Sequence, residues 1–154
     1  MNLRLNPDDL LAEVQRLADI DAITHLKAKG VRLIDTKDWD SWGREVLSED
    51  HVLHGDGGAT EGRDAVVASV SGALAEAKTV HRIHTPEITL TGPDTASAVW
   101  PMDDYVTGTF NGTPMTIRGH GWYHEDYLRT ALGWRISSCR IVRHRVDVTR
   151  GEPE

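Results

Sequence analysis

At 154 residues, 39% of them apolar, the chain can bury a real core without metal or disulfide staples. A formal net charge of −7 argues against nucleic acid or an anionic membrane as main partner, because both reward basic patches. The single cysteine, Cys139, excludes an internal disulfide. No apolar run approaches the roughly 18 residues of a membrane span, and Arg4, Asp8 and Asp9 follow Met1 too closely for a signal-peptide core. A soluble, cytoplasmic protein is expected. The arginines Arg135, Arg140, Arg143, Arg145 and Arg150 read as a solvated strand face with ion pairs.

With no repeat and no long linker, residues 1–154 read as a single domain. Asn6-Pro7-Asp8-Asp9 supplies a cap, a first-turn proline and two acids, which start a helix. After Ala18-Asp19 a second helical pattern runs through Ile20, Ile23, Leu26, Gly30 and Ile34, one apolar stripe. Asp38-Trp39-Asp40-Ser41-Trp42 opens a short helix ending near Leu47. His51 to His54 is short enough for an edge strand, closed by Gly55-Asp56-Gly57-Gly58. A further helix spans about Gly62 to Ala75, with Val66, Val67, Val70 and Leu74 on its buried face. Strands are predicted over Thr79 to Leu90, Ala96 to Thr107, Met115 to Thr130 and Trp134 to Val148. Their turns include Asn111-Gly112, a strong hairpin dipeptide. Helices first and hairpin-linked strands afterwards predict an α+β fold, with helices covering one face of an antiparallel sheet.

Eight histidines invite a metal site, but strand geometry opposes it. In His51/His54 and His81/His84 the partners face opposite sides, while His120 and His124 stand roughly 13 Å apart at about 3.3 Å per residue. Gly55-Asp56-Gly57-Gly58 lacks both the third glycine of a dinucleotide fingerprint and the Gly-Lys-Ser/Thr ending of a phosphate loop. Cys139 reads as a buried strand residue, and no serine occupies a nucleophile elbow.

Three ionisable residues call for another explanation. Asp35 closes the apolar helix at the negative end of its dipole, an unfavourable place unless a donor or cation answers it. His81 alternates with Ile83 on one strand face, and a histidine beside a carboxylate is the common way to build a general base near neutral pH. Spacing alone does not pair them, and a solvated helix-end acid is the competing reading of Asp35. Asp104 continues the apolar face of Ala96, Ala98, Trp100 and Met102, where an acid is costly unless paired or functional.

These residues sit in an ordered set of motifs. They are Leu17-Ala18-Asp19, Ile34-Asp35-Thr36-Lys37-Asp38-Trp39-Asp40, Glu61-Gly62-Arg63-Asp64-Ala65, Val80-His81, Thr95-Ala96 through Trp100, Gly119-His120-Gly121-Trp122-Tyr123, and Gly133-Trp134-Arg135-Ile136. From about Leu17 to Asp147 the chain resembles the SnoaL-like families of the nuclear-transport-factor-2-like superfamily, the group of scytalone dehydratase, bile-acid 7α-dehydratase and hexachlorocyclohexane dehydrochlorinase. The resemblance implies a cone-shaped α+β barrel, N-terminal helices on a strongly curved antiparallel sheet around one pocket. It implies Asp35 and His81 as a catalytic pair, Asp104 as a second catalytic acid, and Arg143 as a C-terminal pocket arginine. Trp100, Met102 and Tyr123 are taken as further substrate-binding residues. Many relatives carry a pocket tyrosine where this chain has Gly30, which implies a lost hydrogen-bond donor and room for a bulky ligand.

The function expected from sequence and resemblance together is a lyase, dehydratase-like, without cofactor or metal, using an Asp–His base on a largely apolar cyclic small molecule. Isomerisation or ring closure would use the same base, and a non-catalytic small-molecule binder is the chief alternative. The resemblance also implies a homodimer or homotrimer.

Overall fold

The computed structural model describes residues 6–151. Helix α1 runs unbroken from Pro7 to Asp35. Asn6 Oδ1 accepts the Asp9 N–H at 2.9 Å, so the predicted cap stands, but the two helices read from the sequence are one. Ala18-Asp19 contains no breaker, and the Asp19 carboxylate does not cap a new helix. Instead it accepts from Arg129 Nη2 at 2.7 Å and Trp134 Nε1 at 3.2 Å, tying α1 to the last hairpin. Arg129 chiefly, helped by Trp134 and Gln15, holds this carboxyl below its ordinary range. Helices α2 (Trp39–Val46) and α3 (Arg63–Leu74) follow. α1 packs against α2, and α3 lies against the sheet. No helix among the described residues is long and apolar enough to cross a membrane.

The strands are β1 (Leu47–Gly55), β2 (Gly58–Glu61), β3 (Lys78–Ile83), β4 (Glu87–Leu90), β5 (Thr95–Phe110), β6 (Thr113–Thr130) and β7 (Gly133–Arg150). They form one sheet in the order β2-β1-β7-β6-β5-β3, with β4 also paired to β5. Two expectations need correction here. His51 to His54 is not an edge strand: it belongs to a longer β1 covered on its outer side by β2, and β1 pairs with β7 in parallel. The sheet is therefore mixed, and it is not closed into a barrel. The predicted strand Thr79 to Leu90 is also two strands. Pro86 has no N–H to give a ladder, and His84, Thr85 and Pro86 stand against only Trp100 and Pro101 of β5.

Curvature comes from β7, where Ser137 and His144 are extra residues opposite β6. Bulges of this kind bend a strand and raise its twist. On β5 the buried positions alternate through Ala96, Ala98, Trp100, Met102, Asp104 and Val106, and on β6 through Gly119, Gly121, Tyr123, Glu125 and Tyr127. This inner face meets Ile23, Leu33, Trp42, Val46 and Val66 from the helices in one hydrophobic cluster.

An ion pair crosses that interior. Lys27 Nζ donates to Glu125 Oε1 at 2.5 Å, with the two side chains 6% and 1% exposed. Tyr127 Oη donates to Glu125 Oε2 at 2.5 Å and in turn accepts from Trp100 Nε1 at 2.9 Å. Lys27 Nζ also lies 3.5 Å above the Tyr123 ring. Removing one member of a buried pair strands the other charge, at about 3–5 kcal/mol. Lys27→Met is thus expected to lose about that much stability in urea unfolding, and Lys27→Met/Glu125→Gln to recover a good part of it. A loss below about 1 kcal/mol in Lys27→Met would remove the pair from the joints that hold α1 to the sheet.

Candidate active site

α1 ends in a Schellman arrangement. The Asp38 N–H bonds Leu33 O and the Lys37 N–H bonds Ile34 O, with Lys37 at φ 63°, a left-handed place usually given to glycine. Lys37 Nζ reaches Thr79 Oγ1 at 2.8 Å. Burial lowers its pKa, and Asp35 pulls in the opposite direction.

Asp35 is answered three times by β3. Oδ1 accepts from Thr79 Oγ1 at 2.9 Å and from His81 Nδ1 at 2.6 Å, and Oδ2 accepts the His81 backbone N–H at 2.9 Å. A carboxylate only accepts, so Nδ1 of His81 carries a hydrogen, and in the neutral ring Nε2 is the nitrogen with the lone pair. His81 is 8% exposed.

Asp104 lies directly opposite His81 across the β3–β5 ladder, so the two share a face. Arg143 grips Asp104 with both arms, Nη1 to Oδ1 at 2.9 Å and Nη2 to Oδ2 at 2.7 Å. Gly119 faces Asp104 on β6, and a Cβ there would collide with Arg143 Nη1 and Asp104 Oδ1. The absent side chain is the space this pair occupies.

Between helices and sheet lies a cavity of about 310 Å³, lined mostly by apolar side chains. His81, Asp104, Arg143, Tyr123 and Gly30 reach its wall, whereas Asp35 stands behind His81. Burial pushes the Tyr123 hydroxyl well above its ordinary range, so it remains a neutral donor. Trp100 and Met102 are not on the cavity wall: Trp100 is 1% exposed in the core with its N–H on Tyr127, and Met102 Sδ sits 3.7 Å from Arg143 Nη1. Gly30 borders the cavity, but a Cβ there would meet Val46 Cγ1 at 3.1 Å and Trp42 Nε1 at 3.9 Å. The glycine therefore also lets α1 and α2 approach closely, and a large side chain would press on α2 before filling the cavity.

Three lining residues escaped the sequence reading: Lys27, Glu125 and His51. Lys27 stands four residues from Ile23 on the apolar stripe, and Glu125 alternates with Tyr123 and Tyr127. Each is a charge on an apolar face, the same signal that marked Asp104. His51 was weighed only as half of a metal pair. No group of three or more His, Cys, Asp or Glu among the described residues is placed to hold a metal ion. Cys139 is buried, and burial drives its thiol far up, away from reactivity.

Fold and site together define an α+β domain, helices on one curved mixed sheet, with a carboxylate–histidine pair at an apolar cavity. The family model of the SnoaL-like domain matches residues 15–140, and the chain belongs to that family. Solved structures with the same fold include a hexachlorocyclohexane dehydrochlorinase (LinA) type 2, at TM-score 0.79 and 15% identity, covering 91% of this chain and 95% of that one. A candidate scytalone dehydratase from Novosphingobium aromaticivorans gives 0.75 and 14%, covering 86% and 88%. An NTF2-like protein with a cystatin-like fold from the same organism gives 0.68 and 23%, covering 93% and 92%.

The bidentate pair gives a direct test. Gly119→Ala is expected to displace the Arg143 guanidinium from Asp104 and to cost about 1–3 kcal/mol, the worth of a lost charge-assisted contact. A crystal structure of the variant with both Arg143–Asp104 bonds intact would contradict this account of the glycine.

Proposed function

We propose that this protein is a cofactor-independent lyase, dehydratase-like, in which His81 is the general base and Asp35 its positioning partner. The observation that carries the reading is the 2.6 Å contact between His81 Nδ1 and Asp35 Oδ1, on a histidine that lines an apolar cavity. Asp35 fixes the tautomer and would stabilise the imidazolium formed when Nε2 takes a proton. The substrate that suits the wall is a largely apolar cyclic molecule with a C–H next to an activating group.

In the elimination, Nε2 removes that proton and the C–H electron pair becomes the new double bond. The neighbouring hydroxyl departs as water, taking a proton back from the imidazolium, which returns His81 to its neutral form. Arg143 has N–H groups beyond the two that Asp104 accepts, and they suit the oxygen on which negative charge builds. Asp104, directly opposite His81 in the ladder, holds that guanidinium in place. The folds of a dehydrochlorinase and of a candidate scytalone dehydratase support an elimination over other uses of the same base. Isomerisation and ring closure begin with the same proton transfer. We also propose a homodimer or homotrimer built on the outer sheet face, where Trp122 and Val142, paired across β6 and β7, stand exposed.

Proton abstraction can be read without knowing the leaving group. Cyclic ketones that bind the protein, incubated in D2O, are expected to exchange their α-hydrogens, followed by NMR. His81→Gln should slow exchange by roughly 10²–10⁴-fold. Asp35→Asn should cost a comparable amount and the double variant little more, because groups acting as one unit are not additive. Ligands that bind tightly yet never exchange would turn the reading toward a non-catalytic binder.

A further inference from the structure

The cavity has ionisable groups at two separated places. His81, Asp104 and Arg143 gather at the level of Gly119 on β6. Glu125 lies six residues further along the same strand, roughly 20 Å of extended chain, and there it meets Lys27. His51 belongs to this second group: its ring is held by Ile136 on β7, and Ile136 is paired with Tyr127, next along the inner face of β6 from Glu125.

His51 is 2% exposed and takes no part in the mechanism above. Its Nδ1 lies 2.8 Å from Ile136 O. A carbonyl oxygen only accepts, so Nδ1 carries the hydrogen and Nε2 is left as a bare acceptor. Nε2 has no hydrogen-bond partner among the described residues, yet no buried side-chain nitrogen or oxygen among them lacks a partner. Since His51 lines the cavity, Nε2 opens into that space. Burial lowers the pKa of the ring, which keeps it neutral and accepting.

The neighbouring charges are already committed. Both Glu125 oxygens already accept a hydrogen, one from Lys27 and one from Tyr127, whereas His51 Nε2 accepts none. Lys27 is a donor only. His51 Nε2 is therefore the acceptor at this end that no donor answers, set in a wall where an unanswered acceptor is costly.

We propose that His51 forms a specificity subsite for a hydroxyl group carried by the ring ligand at the end remote from the C–H that His81 attacks. The substrate class is then an apolar, ring-based molecule with a phenolic or alcoholic hydroxyl at one end and the reacting carbon at the other. A ketone oxygen set against His51 Nε2 itself would put acceptor against acceptor and is disfavoured. This subsite deepens the lyase reading and rests on it for the position of the reacting carbon, but its test is binding alone.

Isothermal titration calorimetry on the wild-type protein would use two matched pairs of probes, 6-hydroxy-1-tetralone with 1-tetralone, and estrone with 3-deoxyestrone. In at least one pair the hydroxylated member should bind roughly ten- to a hundredfold more tightly, the range for leaving a buried acceptor unanswered. The preference should vanish in His51→Asn, whose amide can still donate to Ile136 O but offers no ring acceptor. Should that variant fail to fold, a crystal structure of the wild-type complex decides, with the ligand hydroxyl expected within hydrogen-bond reach of His51 Nε2. Equal affinity within both pairs, a preference that survives in His51→Asn, or a hydroxyl directed elsewhere would overturn the subsite and leave the Asp35–His81 reading standing. No binding by any of the four probes would overturn both, because an apolar-ring cavity is common to them.

Discussion

An apolar cavity tolerates a charge only when something answers it, and this constraint organises the interior of the protein. The charged groups buried around the cavity are met by partners from other elements. Lys27 of α1 meets Glu125 of β6, Asp104 of β5 meets Arg143 of β7, and Asp35 of α1 meets His81 and Thr79 of β3. Isolated, any of these charges would cost several kcal/mol on burial. Paired, they tie α1 to the two sides of the sheet and brace β7 across β6 to β5. The cavity survives between them because its walls are joined at these few points.

The Asp35 contact serves structure and chemistry together. Carboxylates are unfavourable at helix C-termini, and Asp35 is tolerated there because β3 presents three donors. The next turn shows similar tension: Lys37 occupies a left-handed position that glycine would fill more comfortably, and from there its ammonium reaches Thr79. Local preference is overridden twice within three residues, and such departures concentrate at functional sites. The donors that anchor Asp35 also leave His81 with one free nitrogen facing the cavity.

Much of this could be read from the residues. The alternation of Ala96, Ala98, Trp100, Met102 and Asp104 marked β5 and its buried acid, and Asn111-Gly112 marked the hairpin into β6. Asp35 stood out by its place on the helix dipole, although pairing it with His81 required the family resemblance. The parallel β1–β7 pairing left no trace, because it joins segments nearly ninety residues apart that no single tight turn links. Ala18-Asp19 looked like a helix boundary because aspartate commonly caps helices; its true partners, Arg129 and Trp134, are over a hundred residues away. Trp100 shares the inward face of Asp104, yet strand alternation tells side from side and not cavity from core. Lys27 and Glu125 each carried a local signal and His51 none beyond its residue type, and only the fold brings the three to one end of one space.

The central claim is that Asp35 fixes the tautomer of His81, so that the neutral base carries its hydrogen on Nδ1 and a lone pair on Nε2. Nitrogen-15 NMR of the histidine side chains reports this arrangement directly. The account predicts that the neutral His81 ring carries its hydrogen on Nδ1 and leaves Nε2 bare, and that Asp35→Asn abolishes this fixed preference. A neutral His81 ring with its hydrogen on Nε2, or one averaging freely between tautomers in the wild-type protein, would contradict it.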